Sequence, residues 1–238
     1  MLPAPSLLTP APHLVVQQRP SQDWVWPDDA PPVAARLLVR LFDLVVATVG
    51  LILLGPIMVL VAIVLKLTSP GPVLFRSERV GHRKASFGAL KFRSMRVDAD
   101  VALAELLASD PDAAAEYAHY HKLSSDPRVT KVGRFLRRSN LDELPQLFNI
   151  LKGEMSVVGP RPKLMSEQHV YGSALPVVLQ VKPGLTGLWQ VSGRSKLSIQ
   201  ERVVLDVHYA RHRTLVGDVL ICLLTFVQMW RPTRHGAR

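Results

Sequence analysis

The chain has 238 residues, a formal net charge of +10, 48% hydrophobic residues and a mean hydropathy of +0.17. Its single cysteine, Cys222, excludes an intrachain disulfide and a zinc cluster built on cysteine. Nucleic-acid binders are usually basic and polar, whereas this chain is basic and apolar, with only 6% aromatic residues. The composition therefore favours an anionic membrane surface over nucleic acid as a partner.

Residues 1–35 differ in composition from the rest of the chain. They contain eight of the 19 prolines, with three aspartates and one arginine, which gives a net charge of −2. A secretion signal would need a basic start followed by an apolar stretch, and this segment has neither. We predict that residues 1–35 form a disordered, proline-rich extension.

The next segment, 44–65, is apolar and has no charged residue over 22 positions. That length is enough to cross a hydrocarbon core of about 30 Å. Proline removes a helical hydrogen bond, so Gly55-Pro56 in the middle of the segment predicts a bend. Basic residues flank both ends of the segment: Arg36 and Arg40 before it, and Lys66, Arg76 and Arg79 after it.

Basic flanks normally lie on the cytoplasmic side of a membrane, and here both flanks are basic. A bent helix that enters and leaves the same leaflet satisfies both observations. We predict that residues 36–68 form such a re-entrant helix, with Gly55 and Pro56 as its break. The alternatives are a helix that spans the membrane and a buried core helix.

The chain after the apolar segment is expected to form a compact domain over residues 69–238. Alternation of side chains predicts strands at 72–80 and 87–95. Residues 97–122 are typical of one or two helices, broken near Asp110-Pro111. The apolar stretch 215–230 indicates a helix that lies either in the core or in the membrane interface. The expected fold class is mainly helical α+β.

The segment 131–162 places two acids directly after a run of bases. The bases are Lys131, Arg134, Arg137 and Arg138. Asn140 and Glu143 match an N-x-x-E helix-capping pattern, which predicts a helix with Asp142 and Glu143 in its first turn. Acids in a first turn are ordinary stabilising groups, so capping alone is one interpretation of this pair.

Catalysis is the other interpretation of the two acids. An ionised aspartate among arginines at a helix N-terminus can bind Mg²⁺ or attack phosphorus. Phosphoryl transfer needs a positioned nucleophile and positive groups that neutralise the phosphate oxygens. Arg161, held between two prolines, suits a bidentate phosphate contact.

The loop 182–194 and the helix after it complete the candidate residues. The glycines of the loop could simply shape its turns. Alternatively, the loop could bind a ligand, since aromatic faces such as that of Trp189 stack bases and arginines such as Arg194 bind phosphate. Asp206 lies in a helical stretch and is expected to be exposed to solvent.

Several motifs in order resemble the bacterial sugar transferases of the monotopic phosphoglycosyl transferase superfamily, over about residues 36–230. The motifs are RLFD, GPVLFRSERVG, KFRSM, DPRVTKVGRFLRRSNLDELPQLFNILKGEMSVVGPRP and KPGLTGLWQVSGR. The resemblance implies a small cytoplasmic catalytic domain with an N-terminal re-entrant membrane helix and interfacial amphipathic helices. One departure is the helix break, which is usually Ser-Pro in the family and is Gly55-Pro56 here.

The resemblance also implies a reaction and its participants. A sugar 1-phosphate, expected to be a hexose 1-phosphate, moves from a UDP-sugar to undecaprenyl phosphate and UMP is released, with Mg²⁺ as cofactor. Asp142 would be the nucleophile, Glu143 would assist, and both would be the metal ligands. The implied substrate-binding residues are Lys91, Arg137, Asn149, Arg161, Gln190 and Arg194.

The implied location is the cytoplasmic face of the bacterial inner membrane, where the enzyme would start exopolysaccharide or glycan synthesis. Membrane lipids are expected partners, nucleic acid is not, and a homodimer is left open. The alternative function is a non-catalytic membrane scaffold of a polysaccharide-synthesis complex. The Asp142-Glu143 pair favours the enzyme, because a scaffold needs no carboxylates within its basic surface.

Overall fold

A computed structural model describes residues 32–120, 123 and 126–230 of the chain. The protein is mainly helical, and its described strands form two small two-stranded sheets. This agrees with the expected fold class, mainly helical α+β. The helices are α1 (Val33–Thr68), α2 (Ala99–Ser109), α3 (Pro111–Tyr120), α4 (Lys131–Ser139), α5 (Gln146–Lys152), α6 (Gln168–Tyr171), α7 (Leu175–Val178), α8 (Leu188–Ser192), α9 (Ile199–His212) and α10 (Leu215–Trp230). The strands are β1 (Leu74–Val80), β2 (Ser86–Phe92), β3 (Ser156–Val158) and β4 (Gly184–Thr186).

Local sequence patterns predicted most of these elements. Strands β1 and β2 lie within or beside the predicted ranges, and the predicted break at Asp110-Pro111 separates α2 from α3. Helix α1 begins at Val33, three residues before the predicted start of the membrane helix. Residues 1–31 of the predicted extension lie outside the described residues.

Helix α1 is the long apolar element of the chain. It runs for 36 residues and continues through Gly55 and Pro56. By length and composition it could cross a membrane, with a mean hydropathy of 2.8 over its most apolar window. Ile52 and Leu53 near its centre are 70% and 68% exposed. The long apolar helix is thus confirmed, while its bend and its membrane topology stay predictions.

The chain folds as two compact units that alternate along the sequence. Of the described residues, the first unit contains 32–50, 78–89 and 147–230. The second unit contains 51–77, 90–120, 123 and 126–146.

A parallel pair of strands lies in the first unit. Ser156 of β3 pairs with Gly184 of β4, and Val158 pairs with Thr186. A Cβ atom at Gly184 would lie 2.0 Å from the backbone nitrogen of Gly159, so the close approach of the two segments requires glycine. The core of this unit packs against Val80 and consists of Tyr171, Leu175, Val178 and Leu179.

Asp43 fastens the start of α1 to β3 within the first unit. Its side chain is 2% exposed, and its Oδ1 atom accepts hydrogen bonds from Ser156 Oγ and Val157 N, both at 2.8 Å. The Arg213 guanidinium donates to the same Ser156 hydroxyl at 2.8 Å and pairs with Asp218 at 2.9 Å. The buried carboxylate of Asp43 therefore sets the register between α1 and the sheet.

Arg40 makes a second connection from α1 within the first unit. Its two terminal nitrogens donate to the carbonyl oxygens of Ile150 and Leu151 at 2.6 and 2.7 Å. These carbonyls belong to the last turn of α5, where a helix has unpaired acceptors and the negative end of its dipole. The Arg40 guanidinium donates hydrogen bonds to these acceptors, and its positive charge interacts favourably with the dipole.

The second unit has its own core, formed in part by α1. Met58, Val61 and Leu65 of the helix pack with Phe92 of β2 and Leu136 of α4. All five side chains are at most 8% exposed, so this half of α1 has one face against protein.

Arg93 fastens the end of α1 within the second unit. Its guanidinium donates to the carbonyl oxygen of Pro70 at 2.5 Å and to that of Ser69 at 2.9 Å. These residues directly follow the last turn of α1, so the chain leaving the helix is held by the residue after β2.

Gly133 allows α4 to approach the backbone of Ser94. A Cβ atom at position 133 would lie 1.9 Å from the Ser94 carbonyl oxygen. We expect Gly133→Ala to lower the stability by about 1–3 kcal/mol, because the added methyl must displace backbone. Melting temperatures in detergent would measure the change.

The matched control is Gly55→Ala, which adds the same methyl where no atom lies within 4 Å. That variant should melt no lower than wild type, since alanine is the better helix former. Equal melting of the Gly133→Ala variant and wild type would contradict the close approach of α4 to Ser94.

Candidate active site

The basic helix α4 is fixed at both ends by local structure. At its start, Thr130 Oγ accepts a hydrogen bond from Gly133 N at 2.9 Å. At its end, Asn140 takes a left-handed conformation with φ 56° and makes no side-chain capping bond. The predicted capping pair of Asn140 and Glu143 is therefore wrong, because Asn140 closes one helix instead of opening the next.

The two acids lie in a short 3₁₀ turn, Leu141–Glu143, and not in the first turn of an α-helix as predicted. Helix α5 begins only at Gln146, after Pro145. Asparagine is suited both to helix starts and to left-handed helix ends, so the local pattern was ambiguous. The charge environment of the acids thus depends on side chains more than on a helix dipole.

The turn holds a buried aspartate beside an ion-paired glutamate. Asp142 is 8% exposed. Glu143 Oε1 lies 2.6 Å from the ammonium of Lys91 on β2, and the two side chains are 19% and 18% exposed. Leu141 and Leu144 pack against the core of the second unit. The acids are thus held by apolar contacts on either side and by a cation from β2.

Arg137 of α4 is tied to Ser94, the second residue after β2. Its Nε atom donates to Ser94 Oγ at 2.8 Å, close to where Gly133 meets the backbone. The second unit therefore contains four predicted site residues: Lys91, Arg137, Asp142 and Glu143.

The other four predicted residues, Asn149, Arg161, Gln190 and Arg194, lie in the first unit. Asn149 is 1% exposed, and its amide nitrogen donates to Gly88 O at 2.9 Å and to Glu154 Oε2 at 2.6 Å. These contacts join α5 to β2, so the structure gives Asn149 a structural role. Its predicted role in substrate binding stays a prediction.

Arg161 lies on the loop that follows β3, and backbone contacts hold that loop on both sides. Gly159 N donates to Thr186 O at 2.9 Å, and Val80 N donates to Lys163 O at 2.9 Å. The loop is thus placed between β4 and the end of β1, which fixes the backbone that carries Arg161.

Lys163, Asp206 and Tyr171 form a buried polar cluster that the sequence did not predict. Lys163 Nζ lies 2.9 Å from Asp206 Oδ2, which also accepts a hydrogen bond from the Tyr171 hydroxyl at 2.9 Å. The prediction that Asp206 is exposed is wrong, since the residue is 1% exposed.

The periodicity of α9 contained a signal for this burial. Asp206 lies three residues after Val203 and three before Tyr209, both of which face the protein. Burial raises the pKa of the Asp206 carboxyl, and the Lys163 ammonium opposes that shift. Burial also lowers the pKa of Lys163.

The residues of the 182–194 loop have different environments. Trp189 is 9% exposed, with the Arg202 guanidinium 4.9 Å from its ring, so it is no open stacking surface. The Arg194 Nε atom donates to the Gln190 carbonyl oxygen at 3.2 Å. Within the described chain, the buried Oε1 atom of Gln190 has no hydrogen-bond partner. That oxygen is an unsatisfied buried acceptor.

The described residues include no group of three or more His, Cys, Asp or Glu side chains placed to hold a metal ion. Mg²⁺ does not need such a group, because it keeps several waters and often takes one or two carboxylates together with substrate phosphates. The adjacent carboxylates of Asp142 and Glu143 fit that kind of site.

Comparison with known proteins agrees with these features. One relative is the exopolysaccharide production protein ExoY of Sinorhizobium fredii, 45% identical over 186 residues, which cover 78% of this chain and 82% of the relative. The undecaprenyl-phosphate galactose phosphotransferase of Salmonella typhimurium is 45% identical over 205 residues, or 86% of this chain. The UDP-glucose:undecaprenyl-phosphate glucose-1-phosphate transferase of Escherichia coli K12 is 39% identical over 198 residues, or 80% of this chain.

The last two relatives are longer, and the matched region spans only 42% and 39% of their lengths. Residues 34–232 also match the family description "Bacterial sugar transferase" as a whole. The chain belongs to the bacterial sugar transferase family.

Proposed function

We propose that the protein transfers a sugar 1-phosphate from a UDP-sugar to undecaprenyl phosphate and releases UMP. The observation that carries this proposal is the rigid turn with buried Asp142 and Lys91-paired Glu143. The names of the relatives support the lipid acceptor and a hexose, galactose or glucose, as the sugar. The reaction would be the first membrane step of exopolysaccharide or glycan synthesis.

In the first step, a carboxylate oxygen of Asp142 attacks the phosphorus that bears the sugar. A bond forms between that oxygen and phosphorus, the bond from phosphorus to the bridging oxygen breaks, and UMP leaves with the electron pair. The low exposure of Asp142 supports this step, because an acyl phosphate must be shielded from water to survive. The nearby cations of Lys91 and Arg137 would offset charge on the phosphate oxygens.

In the second step, an oxygen of undecaprenyl phosphate attacks the same phosphorus. The acyl phosphate bond breaks, Asp142 regains its carboxylate, and the product is undecaprenyl diphosphate sugar. Glu143 would position the acceptor, and its contact with Lys91 holds it at the turn. Asp142 and Glu143 would also hold Mg²⁺, which when bound supplies positive charge for the phosphate oxygens.

The first unit contains three further residues that we propose bind substrate. Arg161 is a candidate for a phosphate contact, because backbone bonds on both sides of its loop restrict it. Gln190 is a candidate for the uracil, because its unpaired carbonyl oxygen could accept the ring N–H. Arg194 beside it carries a positive charge suited to phosphate.

We also propose that α1 is re-entrant at Gly55-Pro56. Support comes from its two flanks, since Arg40 binds the end of α5 and Arg93 binds the chain leaving α1. Both flanks are thus held by chain that follows the helix. A spanning helix would place Arg40 across the membrane from its partners on α5. With both flanks basic, the shared side would be the cytoplasmic face of the inner membrane.

Helix α10 is proposed to lie in the membrane interface. Its exposed face carries Val216, Leu223 and Phe226, which are 71%, 58% and 62% exposed. Its other face buries Asp218 and Ile221 at 0% and 6%. One face against protein and one apolar face outward is the arrangement expected of an interfacial helix.

The nucleophile assignment predicts a covalent intermediate. Detergent-solubilised protein incubated with a radiolabelled UDP-sugar and Mg²⁺, without lipid acceptor, should retain label through denaturation and lose it to hydroxylamine. Asp142→Asn should remove the label and lower UMP release by about 1,000-fold or more. Asp112→Asn, an exposed acid on α3, is the matched control and should behave as wild type. Labelling of the Asp142→Asn variant equal to wild type would sink the assignment, and no UMP release with any donor would favour a scaffold.

The topology proposal predicts labelling from one side. In a Cys222→Ser background, Val33→Cys and Val97→Cys, at sites 62% and 65% exposed, should both react with a membrane-impermeant maleimide only from the cytoplasmic side. Leu53→Cys near the helix centre should resist the reagent in membranes and react in detergent. Reaction of positions 33 and 97 from opposite sides would mean that α1 spans.

The buried cluster at Lys163 predicts a role in positioning Arg161. Lys163→Met should destabilise the protein by about 3–5 kcal/mol, because it leaves the Asp206 carboxylate buried without its cation. The triple variant Lys163→Met, Asp206→Leu, Tyr171→Phe should recover most of that stability, since no unpaired polar group remains. Its KM for the UDP-sugar should nevertheless be higher than that of wild type, because the polar contacts that position the Arg161 loop are gone. A normal KM in a stable triple variant would show that the cluster serves folding alone.

A further inference from the structure

Two cations converge on one glycine at the base of α1. A Cβ atom at Gly153 would lie 3.5 Å from Lys182 Nζ and 3.6 Å from Arg40 Nη2. Gly153 has φ +83°, which closes the turn after α5 and leaves this position without a side chain. The ammonium and the guanidinium therefore border the same small space.

The two cations differ in whether they have hydrogen-bond or ion-pair partners. Arg40 is occupied by the carbonyls of Ile150 and Leu151. Among the described residues, the ammonium of Lys182 has neither a hydrogen bond nor an ion pair, although the residue is half-buried. Burial and the charges of Arg40 and Arg213 lower the pKa of Lys182, which means that its charge is poorly compensated.

The charges around Lys182 reach it without a direct partner among the described residues. The cations Arg40 and Arg213 lower its pKa, and the carboxylate of Asp43 acts in the opposite direction. Glu154, next to Gly153, directs a carboxylate oxygen to Asn149. A phosphodiester carries one negative charge and could supply the partner that the Lys182 ammonium lacks among the described residues.

The position of Arg40 indicates where such a ligand would come from. Arg40 lies four residues before the uncharged segment 44–65. The leucines around it, Leu37, Leu38 and Leu41, are 64%, 54% and 58% exposed, so they could contact acyl chains. A phosphate group bordered by apolar side chains is the chemistry of a lipid headgroup.

We propose that Arg40 and Lys182, beside Gly153, bind the phosphodiester headgroup of an anionic membrane phospholipid. The lipid neutralises Lys182 and fastens the base of α1 to the bilayer. This inference rests on the membrane location proposed above and is independent of the transfer reaction.

The full chain in nanodiscs allows a direct test by melting temperature. In nanodiscs of phosphatidylcholine with increasing phosphatidylglycerol, wild type should melt about 3–6 °C higher at saturation. Lys182→Met should melt at or above wild type in pure phosphatidylcholine, because it removes an uncompensated charge, and should lose the rise with phosphatidylglycerol. Lys182→Arg should keep the rise. A role in folding alone would instead lower the melting temperature in both lipids.

Controls separate the possible sources of the effect. Lys196→Met removes one exposed positive charge from the same unit and should respond to phosphatidylglycerol as wild type does. Native mass spectrometry should show a retained phosphatidylglycerol on wild type that Lys182→Met lacks. An equal response of Lys182→Met and wild type to phosphatidylglycerol would overturn the proposal. So would full stabilisation by inorganic phosphate in phosphatidylcholine nanodiscs, which would indicate a small-anion site.

Asp142→Asn separates this site from the catalytic proposal. That variant should lose sugar-phosphate transfer and keep the rise with phosphatidylglycerol. Loss of both properties in Asp142→Asn would contradict the independence of the two sites.

Discussion

Two buried aspartates, one before and one after the loop of Arg161, determine the position of that loop in the first unit. Before the loop, Asp218 pairs with Arg213, and the single proton of the Tyr209 hydroxyl lies within reach of Asp218 Oδ1 at 2.7 Å and of Val158 O at 2.9 Å. After the loop, the ion pair of Lys163 and Asp206 is completed by Tyr171. Each cluster combines an aspartate, a cation and a tyrosine, and each cation also lies near the ring of its tyrosine, at 5.7 and 4.4 Å. A loop anchored by two such clusters has little freedom to move its arginine, which is what a phosphate contact requires.

A buried carboxylate also attaches the start of the apolar helix α1 to β3. A buried carboxylate is costly unless its oxygens are satisfied, and Asp43 is satisfied by donors of β3. Ser156 accepts from Arg213 and donates to Asp43, so it links the helix to the cluster that precedes the Arg161 loop. In the second unit, the end of α1 is instead held through carbonyl oxygens that bind Arg93. Three of the basic residues, Arg40, Arg93 and Arg213, thus have structural roles.

Sequence periodicity was sufficient to predict the helices and strands whose apolar residues alternate or repeat clearly. The long helix, the first two strands and the break at Asp110-Pro111 follow from local preferences that the tertiary structure does not override. The predicted start of an α-helix at Asn140 was wrong because asparagine is suited to both ends of a helix, and here it closes α4 in a left-handed conformation. The helical period of α9 indicated that Asp206 is buried, but its partners, Lys163 and Tyr171, are 43 and 35 residues away and no local pattern predicts them.

Burial of an acid does not by itself mark a catalytic residue in this protein. Asp43, Asp206 and Asp218 are 2%, 1% and 0% exposed, and each is held by contacts that join separate elements. Asp142 differs in its setting, since it lies on a short turn beside an acid that already has a cation, directly after a basic helix. The three structural aspartates have hydrogen bonds or ion pairs to distant elements because the fold needs those links. Asp142 lies on a turn that directly follows the basic helix α4, next to the Lys91-paired Glu143, and the proposal of phosphoryl transfer rests on that setting more than on its low exposure.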